Sequence, residues 1–191
     1  MVLVVAVLVG ATAGLCRARL GKRAYRVYDL KSTALVLLAF IPQLFIFFLP
    51  STRTRIPDTT ASILYIGSLV LLIVFSFFNI RKPGFWPITG GFLLNALVIL
   101  LNGGWMPISP ATVQRLLPGT PESTWKIGER IGYSKDVLLP VENTRLWFLS
   151  DRFTLPAWIN YQVAFSLGDI FIFVGVIWLL WSLGAAKNEP E

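Results

Sequence analysis

The chain of 191 residues contains no histidine and only one cysteine, Cys16. Without an imidazole, a catalytic triad or dyad that uses histidine as its base is excluded. A zinc or haem site of the usual ligand types is excluded for the same reason, and a single cysteine has no partner for an internal disulfide. We therefore expect neither a metal nor a cofactor.

Charged residues are also scarce. They make up 14% of the chain, whereas 55% is hydrophobic and the mean hydropathy is +0.68. The hydrophobic residues are gathered into long blocks, which is the pattern of an integral membrane protein. The sequence therefore predicts an all-α membrane protein whose main partner is the lipid bilayer.

Five of these blocks approach the length of about 20 residues that a helix needs to cross a bilayer. Between the fourth and fifth blocks lies the sixty-residue segment 102–161, which contains too many tryptophans for a disordered linker and should form a compact cap outside the membrane. In this cap, Ser109-Pro110 is a helix start signal and Pro118-Gly119 a stop signal. We predict one membrane domain, residues 1–191, with spans at 2–16, 32–50, 61–80, 85–101 and 162–184.

Lysine and arginine set the predicted orientation. Six of them fall in residues 17–31, against one acid, Asp29. Loops with such an excess of positive charge stay in the cytoplasm. The N-terminus and segment 102–161 should then lie outside, and the tail 185–191 inside. The net charge of +7 fits this orienting role and contact with anionic lipid, so we expect no nucleic acid partner.

A few polar residues interrupt the predicted spans. They are Asn95 in the fourth, Asn102 at the outer end of the fourth, and Ser166 and Asp169 in the fifth. Such groups are costly in lipid and should face the bundle interior or a wet cavity. For the amides we favour hydrogen bonds between helices. If the fifth helix enters near Gln162, the Asp169 carboxyl lies about 10 Å below the outer edge and needs a polar pocket.

Glycines occur at positions with two different predicted roles. In "LNGGWMP", Gly103 and Gly104 allow a sharp turn as the chain leaves the membrane, and their N–H groups are available to a ligand or to the cap. We treat Asn95, Asn102, Gly103, Gly104 and Ser166 as candidate binding residues. Four glycines within the predicted spans should form surfaces where two helices pack closely. They are Gly10, Gly14, Gly168 and Gly175.

A second carboxyl, Asp151, lies in "ENTRLWFLSDRF" on the outer side, where we expect a short surface helix. The loop between Asp151 and Asp169 is long enough to bring the two acids together, and two carboxyls that share a proton can activate water. The segments "DR" and "FSLGDIFIFVG" resemble the two catalytic motifs of the lipoprotein signal peptidase family. That resemblance implies Asp151 and Asp169 as a catalytic pair.

Another resemblance covers most of the chain. The segments "LLNALVIL", "NGGWMP", "LSDRFTLP" and "FSLGDIFIFVG" are similar to those of a bacterial family of small multi-pass membrane proteins, classed only as a domain of unknown function. The resemblance implies the predicted architecture and a location in the bacterial cytoplasmic (inner) membrane. It implies no activity.

Three functions are consistent with these features. We favour a non-catalytic accessory or ligand-binding membrane protein, with a polar pocket at the outer leaflet and other membrane subunits as candidate partners. The alternative is a membrane-embedded aspartic hydrolase that uses Asp151 and Asp169. The third is a transport component, which the small number of spans and the lack of an inverted repeat disfavour. An open cleft shared by the two carboxyls would distinguish the hydrolase.

Overall fold

The structure is a computed structural model, and it describes residues 2–156, 158–159 and 161–185. Most of the predicted tail, from residue 186 on, lies outside the described residues. The described residues form seven α-helices: α1 Val2–Leu20, α2 Ala34–Gln43, α3 Pro50–Arg53, α4 Asp58–Phe78, α5 Phe85–Leu101, α6 Pro110–Leu116 and α7 Leu167–Leu183.

The five long helices lie in a row. In this row α1 packs on α7, α7 on α5, α5 on α4 and α4 on α2. Gly10 contacts Ile177 and Gly14 contacts Leu180, so α1 and α7 run parallel. Gly91 contacts Gly168 and Gly84 contacts Gly175, so α5 and α7 run antiparallel.

Two helices are long and apolar enough to cross a membrane, Leu3–Leu20 and Asp58–Phe78, and three apolar helices are shorter, Ala34–Phe48, Phe85–Leu101 and Leu167–Leu183. The first and last helices have other bounds than the predicted spans 2–16 and 162–184. The first helix continues from 16 to Leu20, and the last begins at Leu167 instead of 162 because the chain before it is extended.

Pro42 lies inside α2 and marks a change of helix type. The chain continues from α2 as one π-helical stretch, Leu44–Phe48, which is a local response to an interrupted hydrogen-bond ladder. The neighbouring Gln43 donates from Nε2 to Ser68 Oγ at 2.9 Å. The polar side chain in the second helix therefore links α2 to α4.

The cap contains short strands that the all-α prediction did not include. Strand β1 (Met106–Ile108) pairs in parallel with β2 (Asp136–Leu138), and β3 (Phe153–Thr154) pairs in antiparallel with β4 (Ala164–Phe165). These strands have two or three residues, too few to show an alternating pattern, and they pair with distant segments. The predicted helix start is confirmed, since Ser109 Oγ accepts from Thr112 N at the start of α6.

The cap and the helices share one hydrophobic core. It joins α4 and α5 to the cap strands. At its centre Tyr65 of α4 stacks on Trp105 with ring centroids 6.2 Å apart, and Phe47 meets both rings edge-on. The cap is therefore packed against the helices through this core, and a second cluster of Ile108, Val113 and Leu138 lies within the cap, as the prediction of a compact segment required.

Candidate functional site

Three of the predicted site residues meet where α5 and α7 cross. Ser166 is the N-cap of α7, and its Oγ accepts from Asp169 N at 3.0 Å. Asp169 Oδ2 in turn accepts from Ser166 N at 3.1 Å, which completes a capping box. Asn95 joins both, because its Nδ2 donates to Asp169 Oδ1 at 2.9 Å and its Oδ1 accepts from Ser166 Oγ at 2.8 Å.

The fifth helix does not enter near Gln162, which was the premise for placing Asp169 two turns inside it. The carboxylate lies in the first turn of α7, because the capping box starts the helix at Leu167 and β4 occupies the residues before it. A negative charge in the first turn is favourable, since the unpaired N–H groups there form the positive end of the helix dipole. The carboxylate therefore serves the start of the helix and its bond to α5.

Glycines permit this approach of α5 to α7. A Cβ atom on Gly168 would collide with Asn95 Oδ1, and one on Gly91 would collide with the carbonyl oxygen of Gly168. A Cβ atom on Gly175 would likewise collide with the carbonyl oxygen of Gly84, further along the two helices. The prediction that Gly168 and Gly175 are close-packing surfaces is confirmed.

Asn102, Gly103 and Gly104 form the turn that follows α5, and the Asn102 side chain connects this turn to Arg145 of the cap. Asn102 Nδ2 donates to Val98 O and Arg145 O, and its Oδ1 accepts from Arg145 N. Both glycines have the positive φ that the turn requires, +81° and +88°. Gly104 N already donates to the carbonyl oxygen of Ile99, so the structure uses that N–H group internally.

Asp151 lies at the other side of the cap core, 1% exposed. Lys135 Nζ donates to its Oδ2 at 2.5 Å and is 3.7 Å from Asp136 Oδ1. Strand β1 lies between Asp151 and Lys135 and bonds to both. Asp151 N donates to Pro107 O, and Met106 N donates to Lys135 O. Asp151 was expected at the surface, at the end of a turn that follows a short helical run. A 3-10 turn does precede it, but the expected surface position was wrong, because Asp151 is buried and joins the cap sheet.

Charge and burial shift the pKa values of this pair. Burial raises the pKa of Asp151, Lys135 lowers it, and Asp136 and Asp169 raise it again, with a result of about 8. Burial disfavours the ammonium of Lys135, but the three carboxylates outweigh burial and raise its pKa above the ordinary value.

We take Lys135 to be the charged member of the pair, because Asp151 and Asp136 both lie within 4 Å of its ammonium and its side chain is one-third exposed, so it keeps some hydration. Burial and the neighbouring carboxyl groups favour the protonated form of Asp151, the most buried of these acids.

The two carboxyls of the predicted catalytic pair are electrostatic neighbours with separate partners. Asp169 contributes to the raised pKa of Asp151, yet Asp169 is bound by Ser166 and Asn95, and Asp151 by Lys135. Two surface clefts of about 600 and 630 Å³ both lie at the opposite end of the helices. The described residues contain no group of three or more Asp, Glu, Cys or His side chains that could hold a metal ion. The geometry therefore does not favour a hydrolytic dyad.

Sequence reasoning missed Lys135, Asp136 and Arg130. The segment "YSKDVLLP" gives no signal beyond a short apolar run, and a Lys-Asp pair in a loop usually means a solvated surface. Arg130 Nη1 donates to Asp58 Oδ1 at 2.7 Å, and its guanidinium lies 4.1 Å from the centre of the Trp105 ring. These contacts join segments far apart in the chain, so only the fold reveals them.

A protein-family model, that of the family of unknown function DUF5317, matches residues 27–181. The match covers the last four long helices and the whole cap. No curated protein matches the chain, and no solved structure matches it.

Proposed function

Because the chain belongs to DUF5317, a family of unknown function, membership supplies no activity, and we propose a function from the geometry. We propose a multi-pass membrane protein with a non-catalytic accessory or ligand-binding role. Its five long helices cross the bilayer, and its cap lies on the outer surface. The observation that carries this proposal is the row of apolar helices with the cap at one end and the basic loops at the other.

Apolar surface supports the membrane part. Large apolar side chains are exposed on all five helices, among them Leu8, Leu37, Ile63, Leu93 and Val174. A soluble monomer rarely exposes continuous apolar surface on this scale. The three shorter helices contain 15 to 17 residues, close to the lower limit of about 17 that a thin or locally compressed bilayer accepts.

Contacts at the helix ends support the orientation. Arg26 N donates to Leu183 O at the end of α7, and Lys31 N donates to Asn79 Oδ1 at the end of α4. The basic loop 21–33 therefore lies at the end of the helices opposite the cap. By the positive-inside rule this end faces the cytoplasm, which in our proposal is that of a bacterium.

The contacts of the acidic residues support a non-catalytic role. Asp169 starts a helix and binds α5, and Asp151 pairs with Lys135 beneath the cap. Hydrolysis would require both acids to reach one water and one scissile bond. No contact among the described residues favours a transport component.

Cysteine labelling tests the membrane part. In a Cys16→Ser background, Ser123→Cys in the cap and Val27→Cys in the basic loop place single thiols at exposed positions. An impermeant maleimide should label Ser123→Cys in intact cells and Val27→Cys only after permeabilisation. Labelling of Val27→Cys in intact cells would contradict the orientation, and recovery of the chain in the soluble fraction would contradict membrane insertion.

A hydrolysis assay on membrane-anchored peptides tests the non-catalytic part. Wild type, Asp151→Asn and Asp169→Asn should all show background rates. An activity of the wild type that both substitutions abolish, in variants that remain folded and inserted, would restore the aspartic hydrolase.

A further inference from the structure

The end of the helices opposite the cap carries a second site. We propose that the cleft lined by Lys31, Phe77, Phe78, Arg81 and Lys82 binds an anionic phospholipid, with the phosphate at the cations and an acyl chain along the phenylalanines. The inference rests on the membrane location proposed above. Its volume of about 630 Å³ is within the range of ligand pockets, roughly 300–1,000 Å³.

Asn79 builds this cleft. Its side chain is 2% exposed and binds the backbone of Lys31 twice, since Asn79 Nδ2 donates to Lys31 O at 3.0 Å and Lys31 N donates to Asn79 Oδ1 at 2.8 Å. Nδ2 also donates to Phe75 O. The buried amide therefore fixes Lys31 beside the turn that carries the other two cations.

The turn after α4 places those cations. Lys82 N donates to Asn79 O, and Lys82 Nζ lies 5.3 Å from the centre of the Tyr28 ring, across the loop. Arg81 is exposed at the rim. Among the described residues, no carboxylate forms an ion pair with any of the three cations, so their positive charge is available to a ligand.

The two phenylalanines that line the cleft indicate the class of ligand. Phe77 and Phe78 are 64% and 52% exposed and lie directly beside the three cations. A free phosphate or an acidic peptide would use only the charges, whereas in the proposed membrane both rings lie beside acyl chains. A phospholipid supplies an anion and a hydrocarbon chain together, and basic clefts between helices on the cytoplasmic side are suited to such headgroups.

The test uses the full chain purified in detergent, so the result does not depend on its orientation in a membrane. A short-chain phosphatidylglycerol is titrated against the protein by native mass spectrometry, with phosphatidylcholine and inorganic phosphate as comparison ligands. We expect phosphatidylglycerol to bind at least tenfold more tightly than either.

The variant Lys31→Gln/Arg81→Gln/Lys82→Gln should weaken phosphatidylglycerol binding by about fivefold per removed charge. A matched control, Arg55→Gln/Arg115→Gln/Arg145→Gln, removes three exposed arginines at the cap end and should bind like the wild type. Phe78→Ser should weaken binding of phosphatidylglycerol and leave the weak binding of inorganic phosphate unchanged.

Equal affinity of the cleft variant and the wild type would overturn the proposal, and so would equal losses in the cleft and control variants. Phosphate binding as tight as lipid binding would also overturn it in favour of a free anion. If the triple variant does not purify, Arg81→Gln and Phe78→Ser decide the question singly, since each should show a partial loss and no loss in either rejects the site. Failure of the labelling experiment together with tight lipid binding would reject only the membrane topology.

Discussion

Asp169 and Asp151 are both carboxylates at the cap end of the helices, but their surroundings give them different roles. Asp169 accepts hydrogen bonds on both oxygens, one from the backbone of Ser166 and one from Asn95. Asp151 has one oxygen on Lys135, and its Oδ1 has no hydrogen-bond partner among the described residues. The first carboxylate stabilises a helix start, and the second responds to pH.

Asp169→Asn should destabilise the protein by about 1 kcal/mol, because an amide provides one acceptor where two are used and removes a favourable charge at the helix start. Asp169→Leu should cost about 2–4 kcal/mol, since it also leaves Asn95 Nδ2 without its acceptor. Thermal melting in detergent measures both effects. Asp29→Asn, at an exposed position in the basic loop, is the control, and equal melting of Asp169→Asn and Asp29→Asn would contradict this role.

The raised pKa of Asp151 predicts a pH dependence of stability. Its folded-state pKa of about 8 lies above the ordinary value of about 4, so between these limits the folded chain keeps a proton that the unfolded chain releases. The stability from this group is fully present below about pH 4 and is lost as the pH rises to 8. The raised pKa of Lys135 keeps that residue charged throughout this window.

The melting temperature of the wild type should therefore fall as the pH is raised from 5 to 9. Asp151→Asn should remove most of that slope, whereas Asp29→Asn should retain it. A slope that Asp151→Asn leaves unchanged would show that another group controls it.

Isolated polar residues within apolar runs were the most informative residues in the sequence. Asn95, Ser166 and Asp169 were expected to need hydrogen-bond partners inside the bundle, and in the structure they bond to one another. Lys135 was not predictable in the same way, because its partner Asp151 lies across β1 and nothing local to either residue indicates that pairing.

At the scale of elements, the contact between α5 and α7 depends on which face of α5 each glycine occupies. Gly91 lies against the backbone of α7, where a Cβ atom would overlap Gly168 O. The adjacent Gly90 has only Phe171 near it, at an ordinary contact distance of 3.7 Å. The two neighbours therefore form a matched pair for substitution.

Gly91→Ala should destabilise the protein by about 1–3 kcal/mol, because the helices have to move apart. Gly90→Ala should be neutral or stabilise by up to about 1 kcal/mol, since alanine is the better helix former. Melting curves of the two variants under one condition test this, and a loss of stability in Gly90→Ala as large as that in Gly91→Ala would show that the close approach is not the cause.

Hydropathy predicted the bounds of a helix correctly only where the apolar run and the helix have the same limits. The bounds of α5 agree with the predicted span 85–101 because Gly84, with φ of +82°, interrupts the helical ladder before it. The bounds of α7 disagree because the apolar run begins before the helix, and the residues that precede Ser166 are used in β4. Hydropathy reports burial in lipid or core, and it does not report where the backbone becomes helical.

At the scale of the molecule, the cap is fixed to the helices by a buried arginine. Arg130 binds Asp58 at the start of α4, donates to Ser134 O within its own loop, and lies over Trp105. Its side chain is 6% exposed. Arg145 also lies in the cap, but its side chain is exposed, so the two arginines can be compared directly.

Arg130→Met should loosen the cap and cost about 2–3 kcal/mol, because it removes a buried charged hydrogen-bond donor and its contact with the ring. Hydrogen exchange should become faster in β1 and β2 and remain unchanged in α1 and α7. Arg145→Gln should change neither region. Faster exchange throughout the molecule, or none in the cap, would contradict the assignment of this contact.

The pairing of α1 with α7 also has a consequence for synthesis at the ribosome. These helices are parallel neighbours, although the 146 residues 21–166 separate them in the chain. At about 5–20 residues per second, α1 waits roughly 10–30 s before the helix it packs on has been translated. During that interval its glycine face, Gly10 and Gly14, is open to chaperones, insertases and other nascent chains, and a ribosome that stalls before residue 167 would release α1 without its packing partner.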